Sequence, residues 1–536
     1  MRSGLSASAQ NNALREATKC KPRMLVCAPS NAAVDNIILK IMEQGFVDGN
    51  GMRYNPSIIR VGSGQSEAVS DVALEKKVKA LMEEAQDKAK LQTAIAGFRY
   101  ELEKSRNEIS RCQHRVKAIE SASPYPLPRH WEIRCDENTF DQSGRVYFVN
   151  HKEKSTTFEL PPPPKPDEKK YSPSQMPEHR KYTNAILKQI EKFNSITSKV
   201  NLRELVMAAD IKQQQHDVRQ QVETDYLDTA HIVLTTLGTA GAKILESTNK
   251  FEVVVIDEAA QSVEPSTLSA LELGSSHAIL VGDPQQLPAT IFSMSGRKTK
   301  FDRSLFQRLE EAGHPVHMLN QQYRMNPAIS VFPRTIFYNN TLLDGPNVKH
   351  PEYGAPLRRR ILSTLSKFQA LTVLDLDSAE QRSGTSLSNA AEARLALDLY
   401  ITLNRVSGGE VEKSSVAVIT PYSQQVTILK RVFQNENGNK NYSSKVEINT
   451  VDAFQGREAD IVIFSCVRAS GSKGVGFLSD VRRMNVALTR AKHFLFVICR
   501  CESIVVNPYW RELVDHAKQI NAIVKVPINR QPGLIF

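Results

Sequence analysis

The chain has 536 residues, 41% of them hydrophobic and 24% charged, which is enough to bury several cores in about two or three domains. No apolar run approaches the roughly 20 residues of a membrane-crossing helix, and Met1–Lys21 is polar throughout, without the apolar stretch of a secretory signal. The 69 Lys and Arg against 58 Asp and Glu leave a net charge of +11, which favours a polyanionic partner, and the seven cysteines contain no C-x-x-C pair, which suits reduced thiols.

Met24–Ala28 is a short apolar run that turns through Pro29 and Ser30, and predicts a buried strand followed by a helix from about Asn31 with Ser30 as its cap. Backbone amides at such a helix start suit a phosphate. No stretch of the chain has the form G-x-x-x-x-G-K-[ST], the loop whose amides and lysine cradle a triphosphate. From Val72 to Ile119, Leu74, Val78, Leu81, Ala85, Ile95, Leu102, Ile109 and Val116 alternate at spacings of four and three, and predict one long helix with a single apolar stripe. Tyr182–Tyr226 carries Ile186, Ile190, Phe193 and Leu205 in the same sense, so the two stretches are expected to pack as an antiparallel hairpin.

Between them, Leu127–Pro164 resembles a WW domain, through Leu127-Pro128, Trp131-Glu132, Gly144-Arg145, Tyr147-Phe148, Asn150-His151, Thr156 and Pro161. The resemblance implies a small three-stranded sheet with a ligand groove of Tyr147, Val149, His151, Thr156 and Phe158, suited to a proline-rich or phospho-Ser-Pro peptide. Phe158 stands where the module usually has its second Trp. A purely structural hairpin in which Tyr147 packs on Phe158 explains the same residues.

Ala230–Gly241 predicts a further strand ending in Thr235 and Thr236. Val253–Ile256 and Ala278–Val281 are short β-branched runs of the kind buried on both faces of a parallel sheet. The first delivers Asp257 and Glu258, the second Asp283 and Gln286, to a carboxyl edge, where open α/β sheets bind ligands. One carboxylate of the first pair can hold Mg²⁺ while the other takes a proton from water. Taken alone, the pair could equally be the acidic first turn of a helix starting near Ala259. A second set of runs, Leu371–Leu374, Ser415–Ile419, Asp460–Ser465 and Phe494–Ile498, predicts another parallel sheet, and PYWRELVDHAK after Asn507 predicts a closing helix. Arg324 in QYRM and Arg490 in LTRAK are placed on polar turns, where a permanently charged planar fork can stabilise phosphate charge.

CAPSNAAVDN (27–36), the two acidic blocks, LNQQYRMNP (319–327), INTVDAFQGREADIVIFSCVR (448–468) and VGFLSDVRRMNVALTRAKHFLFVIC (475–499) follow one another in this order. They resemble the Ia to VI blocks of superfamily 1 helicases, with a wording nearest the senataxin-like branch, from Met24 to about Gly62 and from about His231 to Lys518. The resemblance implies an α/β fold of two RecA-like parallel-sheet lobes, a P-loop NTPase fold whose first lobe is incomplete. It divides the chain into 1–66 and 229–294 (first lobe), 67–228 (a helical insertion, the prong, carrying the WW-like module at 125–164), 295–508 (second lobe) and 509–536 (closing helix and tail). ATP and Mg²⁺ in the cleft are implied, with Asp257 as metal ligand, Glu258 as base, Gln286 beside the γ-phosphate and Arg324 and Arg490 as transition-state cations. Asp283, Gly456 and Glu458 fall at the nucleotide, Glu458 accepting from ribose or Arg490. Pro29, Ser30, Asn31, Thr235, Thr236, Thr450 and Asp452 fall at nucleic-acid contacts. The implied activity is that of an ATP-dependent helicase or translocase on single-stranded RNA or DNA or on RNA–DNA hybrids, in a monomeric protein with no membrane association, nuclear or alternatively cytoplasmic; RNA versus DNA stays open. With the phosphate loop missing, the chain reads as a fragment of a protein that carries it, the rival being an inactive nucleic-acid-binding scaffold that recruits proline-rich proteins.

Overall fold

The computed structural model describes residues 23–47, 53–54, 56–136, 145–165, 169–208, 215–291, 293–384, 386–434, 442, 444–470 and 474–527. They divide into one unit of Met1–Asp257 with Pro265–Leu280 and a second of Glu258–Glu264 with Val281–Phe536. Gly144, expected in the WW-like module, lies outside the described residues.

In the first unit Met24–Ala28 forms β1, and Ser30 starts α1 (Asn31–Gln44) by accepting from the Ala33 amide at 3.2 Å. After β2 (Ile58–Arg60), the stretch expected as one helix is broken into α2 (Leu74–Glu84) and α3 (Lys88–Glu120). The apolar spacing runs on through the break, but Asp87 takes an extended backbone there and accepts from the amides of Ala89 at 3.1 Å and Lys90 at 3.0 Å. Asp gains more as a helix cap than inside a helix, so the local bond overrides the period.

The insertion continues through β3 (Trp131–Cys135), β4 (Val146–Asn150) and β5 (Ser155–Thr157), an antiparallel three-stranded sheet. It returns in α4 (Pro177–Ala208) and α5 (Gln215–Thr229), the residues between them, 209–214, lying outside the described ones. Helices α3 and α4 are antiparallel: Arg99 pairs with Glu204 at 2.6 Å, Ser105 bonds Gln189 at 3.2 Å and Glu120 meets His179 at 3.0 Å. One face of the small sheet, Ile133, Cys135 and Phe148, is buried with Cys112 and Ile119 of α3 and Tyr182 of α4. Strand alternation therefore leaves Tyr147 and Val149 on the opposite face.

The chain then re-enters the main sheet with β6 (Ile232–Thr236), β7 (Val253–Ile256) and β8 (His277–Leu280). The order is β8-β7-β1-β6-β2, all pairs parallel. Inner strands are buried, as their continuous apolar runs require, whereas the edge strand β8 exposes His277, Ala278 and Ile279.

The second unit contains α6 (Pro327–Ile336), β9 (Leu371–Leu376), α7 (Ala390–Val406), β10 (Val416–Thr420), β11 (Glu447–Thr450), β12 (Ala459–Ser465), α8 (Val481–Leu488), β13 (Ala491–Cys499), α9 (Pro508–Gln519) and β14 (Ile523–Val526). Its sheet runs β11-β10-β12-β13-β9-β14, parallel throughout. Alternate residues of the central strands supply two cores. Val462, Phe464, Leu495 and Val497 pack with Trp510 and Leu513 of α9; Ile461, Ile463, Phe494 and Phe496 pack with Leu399 and Tyr400 of α7. Trp510 stacks on Phe464 at 5.9 Å and donates its indole N–H to the Leu478 carbonyl at 2.8 Å, so the closing helix is fixed by both packing and a buried bond.

Phe496 is fully buried, with Phe494 stacked at 5.9 Å and Phe368 edge-on at 5.2 Å. Phe496→Ala is expected to cost about 3–5 kcal/mol, read as a lower urea midpoint of the second unit. A loss below about 1 kcal/mol would show that this core closes over the cavity and that the packing assigned here is wrong.

Candidate functional site

The register of the first sheet sets Ala28 beside Thr236 and Cys27 beside both Thr235 and Ile256, so three chain segments leave the same carboxyl edge. At that edge Pro29 and Ser30 are exposed and Ser30 serves as cap. Asn31 accepts from the buried guanidinium of Arg60 at 2.5 Å, and Arg60 in turn pairs with Asp35 at 3.4 Å. Thr235 is fully buried, its hydroxyl donating to the Val61 carbonyl at 3.0 Å, so it supports the edge from below. Thr236 caps the turn that follows, accepting from the Thr239 amide at 3.3 Å. The Asp257 amide donates to the Cys27 carbonyl at 2.8 Å, which fixes the acid at the end of β7.

Glu258 opens the second unit in a left-handed conformation, φ 53°, a rare state for a non-glycine residue, and accepts from the Gln261 side chain. The helix expected near Ala259 is a short 3₁₀ turn, Ala259–Gln261. Asp283 accepts from the Gln286 amide at 2.8 Å and from the Tyr338 hydroxyl at 2.6 Å. Gln286 accepts in turn from Arg490 at 3.1 Å. Asn485 donates to Tyr338 and to the Gln285 carbonyl, both at 2.9 Å. Burial first, then the neighbouring Asp283, push the Tyr338 phenol up.

Arg490 was expected on an open turn and is instead 3% exposed. The cause is its position directly before β13, over the end of α8, where its Nε donates to the Val486 carbonyl at 3.0 Å. Burial, and then the charge of Arg324, bring its pKa down to about 10, while Glu258 opposes the shift. Glu458 was expected to accept from ribose or from Arg490; its bonds are to Arg324 at 2.5 Å and Lys492 at 3.1 Å. Burial would raise its carboxyl, but these two cations outweigh it and hold it below the usual range. Gly456 has φ 74°, the left-handed conformation that favours glycine, and open space where a Cβ would stand. The site thus gathers Glu258, Asp283, Gln286, Arg324, Glu458 and Arg490 in one network, and adds Tyr338 and Asn485. Asn485 stood within RRMNVALTRA; nothing in the sequence spacing marked Tyr338.

At the carboxyl edge of the second sheet Thr420 lies beside Thr450, and Asp452 takes both arms of Arg483 at 3.0 and 3.1 Å. Beneath it Glu392 is fully buried, accepting from Ser465 at 2.6 Å, the Val467 amide at 2.8 Å and Asn389 at 3.3 Å. In the small sheet Tyr147 and Phe158 lie 6.1 Å apart at 59°, with Val149 and Thr156 paired beside them and His151 bonded to Glu132 at 2.7 Å. Phe158 is 55% exposed, so these residues form a shallow surface rather than a pit.

Two family models, each described as AAA domain, match residues 3–294 and 301–502. The chain is 34% identical over 511 residues to a probable helicase of Dictyostelium discoideum, an alignment covering 94% of this chain and 40% of that protein. It is 31% identical over 531 residues to helicase sen1 of Schizosaccharomyces pombe, covering 98% and 28% respectively. Against probable helicase senataxin of Homo sapiens it is 33% identical over 356 residues, 63% of this chain and 13% of that one. The chain spans less than half the length of each of these relatives.

Burial pushes the Glu392 carboxyl up to about 8 from its ordinary 4.5, with the Ser465 and Val467 bonds opposing. Between these two values the folded chain holds a proton that the unfolded chain has lost, so this residue's contribution to stability falls as pH rises through that window and is level above it. Glu392→Gln keeps the acceptor oxygen without the ionisation and is expected to flatten that part of the urea midpoint's pH profile. Parallel profiles for the two proteins would dismiss Glu392 as the titrating group.

Proposed function

We propose, from the premise that this chain belongs to the AAA domain family of superfamily 1 helicases, that it forms the hydrolytic and strand-gripping part of an ATP-dependent helicase or translocase on single-stranded RNA or DNA. The family in general uses ATP and a divalent metal. The observation that carries the reading is the buried Arg490 guanidinium bonded to Gln286, with Arg324 near enough to repel it. Two cations brought together this way favour an anion, and a phosphoryl group gathering charge in its transition state is the one such a site would serve.

Asp257 supplies a hard oxygen donor for Mg²⁺. Among the described residues no group of three or more His, Cys, Asp and Glu could hold a metal ion. Mg²⁺ is commonly held by one or two carboxylates and the substrate's own phosphates. Bound there, the ion would neutralise phosphate charge; Glu258 would accept the proton of the attacking water, Gln286 would orient that water, and Arg324 and Arg490 would bind the phosphoryl oxygens. Pro29, Ser30, Asn31, Thr236, Thr450 and Asp452, at the carboxyl edges of their sheets, would take the strand, with Thr235 supporting them.

The small sheet of the insertion we read as WW-like, its Tyr147 and Phe158 face a weak slot for one proline of a proline-rich or phospho-Ser-Pro peptide, supported by the ring pair, of which Phe158 already carries the Arg145 guanidinium at 4.3 Å. Titrating the whole chain, labelled at its tyrosines, with such a peptide should shift Tyr147 in the NMR spectrum and leave Tyr182, under the sheet, unmoved. No shift at Tyr147, or binding that survives Tyr147→Ala, makes the sheet a spacer.

By itself the chain is expected to turn over ATP slowly with or without single strand. Within a longer protein that supplies the phosphate loop, Glu258→Gln should lower strand-stimulated kcat by about 10²–10⁴-fold while KM for ATP changes little. Turnover unaffected by that substitution means that Glu258 is not the base and that the site is misassigned.

A further inference from the structure

Phe477 stands outside every role assigned above. It is 51% exposed, yet its ring is held on two sides. Tyr422, itself 3% exposed, meets it edge-on at 5.5 Å and 67°. The Arg483 guanidinium covers one face at 5.3 Å from the ring centre, and Arg483 is fixed by both oxygens of Asp452. The backbone is equally constrained: Gly474 and Gly476 have φ of 70° and 57°, and a Cβ on Gly476 would come within 3.0 Å of the Tyr422 hydroxyl. A side chain at Gly476 would be strained and would crowd the Tyr422 hydroxyl, so glycine suits this position.

The support also fixes the place. Tyr422 follows β10 by two residues and Asp452 follows β11 by two, so the ring sits over the carboxyl edge at which Thr420 and Thr450 lie side by side. Arg482, five residues on and 37% exposed, pairs with Asp480 at 3.8 Å. An aromatic ring held by Tyr422 and Arg483 yet half-exposed can offer that exposed surface to a flat π-system, and it has little side-chain freedom left to lose on binding.

We propose that Phe477 is a base-stacking platform: one nucleobase of the bound single strand lies on its exposed surface, with the strand's phosphates passing Thr450 and Arg482. The proposal rests on the single-strand reading given above and adds to it a contact to a base, where every other strand contact named so far suits the backbone. Stacking of this kind tolerates any base, since each has a π-face, and it would mark steps of one nucleotide without reading sequence.

The test uses the whole chain with short single-stranded RNA and DNA oligonucleotides, each with a matched strand of abasic residues, followed by fluorescence anisotropy. Phe477→Ala should weaken binding to the base-bearing strands about tenfold, leave the abasic strands unchanged and leave the salt dependence unchanged, because no phosphate contact is lost. Phe477→Trp should restore affinity, and the new indole should be quenched on binding base-bearing but not abasic strands. Equal losses in RNA and DNA place the contact on the base; a loss confined to RNA would put the 2′-hydroxyl in the ring's place and overturn the proposal. Wild-type binding to base-bearing strands that Phe477→Ala does not weaken overturns the platform and leaves the single-strand reading standing. A wild-type chain that binds none of the strands sinks both.

Discussion

A guanidinium out of water is the constraint from which the second unit's site follows. Arg490 cannot shed its charge at working pH, and with almost no exposure it must have a protein acceptor for each N–H it turns inward. Those acceptors are the Val486 carbonyl at the end of α8, the Arg457 carbonyl after Gly456 and the Gln286 side chain. Three separate stretches are thereby pinned around one side chain. Gln286 is held by Asp283, Asp283 by Tyr338, and Tyr338 by Asn485, which lies one residue before Val486, so the chain of bonds returns to the helix that it left. Movement of any one of these stretches would leave a buried donor unpaired, and this is what makes the group act together.

The same arithmetic explains why Arg324 differs from Arg490 although the two were expected to be alike. Arg324 is part-exposed and has a carboxylate, Glu458, shared with Lys492. Its charge is compensated within the protein. Arg490 is bonded to carbonyl and amide dipoles, the neighbouring Arg324 makes its charge less favourable, and Glu258 offsets this only in part. The less compensated cation is thus the buried one, where the effective dielectric is low and an incoming anion gains most.

How much of this could be read from the sequence depends on whether the deciding interaction is periodic. The inner strands of both sheets were legible because a parallel strand covered on both faces must be a continuous apolar run, as in Ile461–Phe464 and Phe494–Ile498. The edge strands β2, β11 and β14 were not, and β8, expected to be buried on both faces, is an exposed edge. Acids and glutamine at strand ends were legible because the edge follows from the strand. The helix break at Asp87 was not, since apolar spacing continues across it and only the capping bond decides. The burial of Arg490 was not, because sequence carries no sign of which arginine the chain closes over. Tyr338, on the segment after α6, reaches Asp283 across fifty-five residues, a separation with no period to reveal it. For the insertion, alternation separated Tyr147 from Phe148, but that the Phe148 face lies against α3 and α4 needed the helices to be in place.

Two strained residues show where the strands stop behaving as strands. Glu258 and Val467 both have positive φ, 53° and 68°, and each lies two residues beyond a parallel strand, β7 and β12 respectively. For a β-branched residue such as Val467 that conformation is costly, of order 1–3 kcal/mol, and a glycine would remove the cost. What holds Val467 is its amide, donated to the buried Glu392 carboxyl, which also takes the Ser465 hydroxyl. The burial of an acid beneath the edge therefore has a structural use. It turns the chain sharply at the end of β12 and sends Arg468 toward Glu380, at 3.1 Å, instead of onward along the strand direction. At Glu258 the turn does the corresponding thing for a carboxylate, lifting it out of the strand's line at the point where Asp257 stays in it. Adjacent acids on a regular strand would point to opposite faces of the sheet. A left-handed residue between strand and turn lets the second acid leave that alternation.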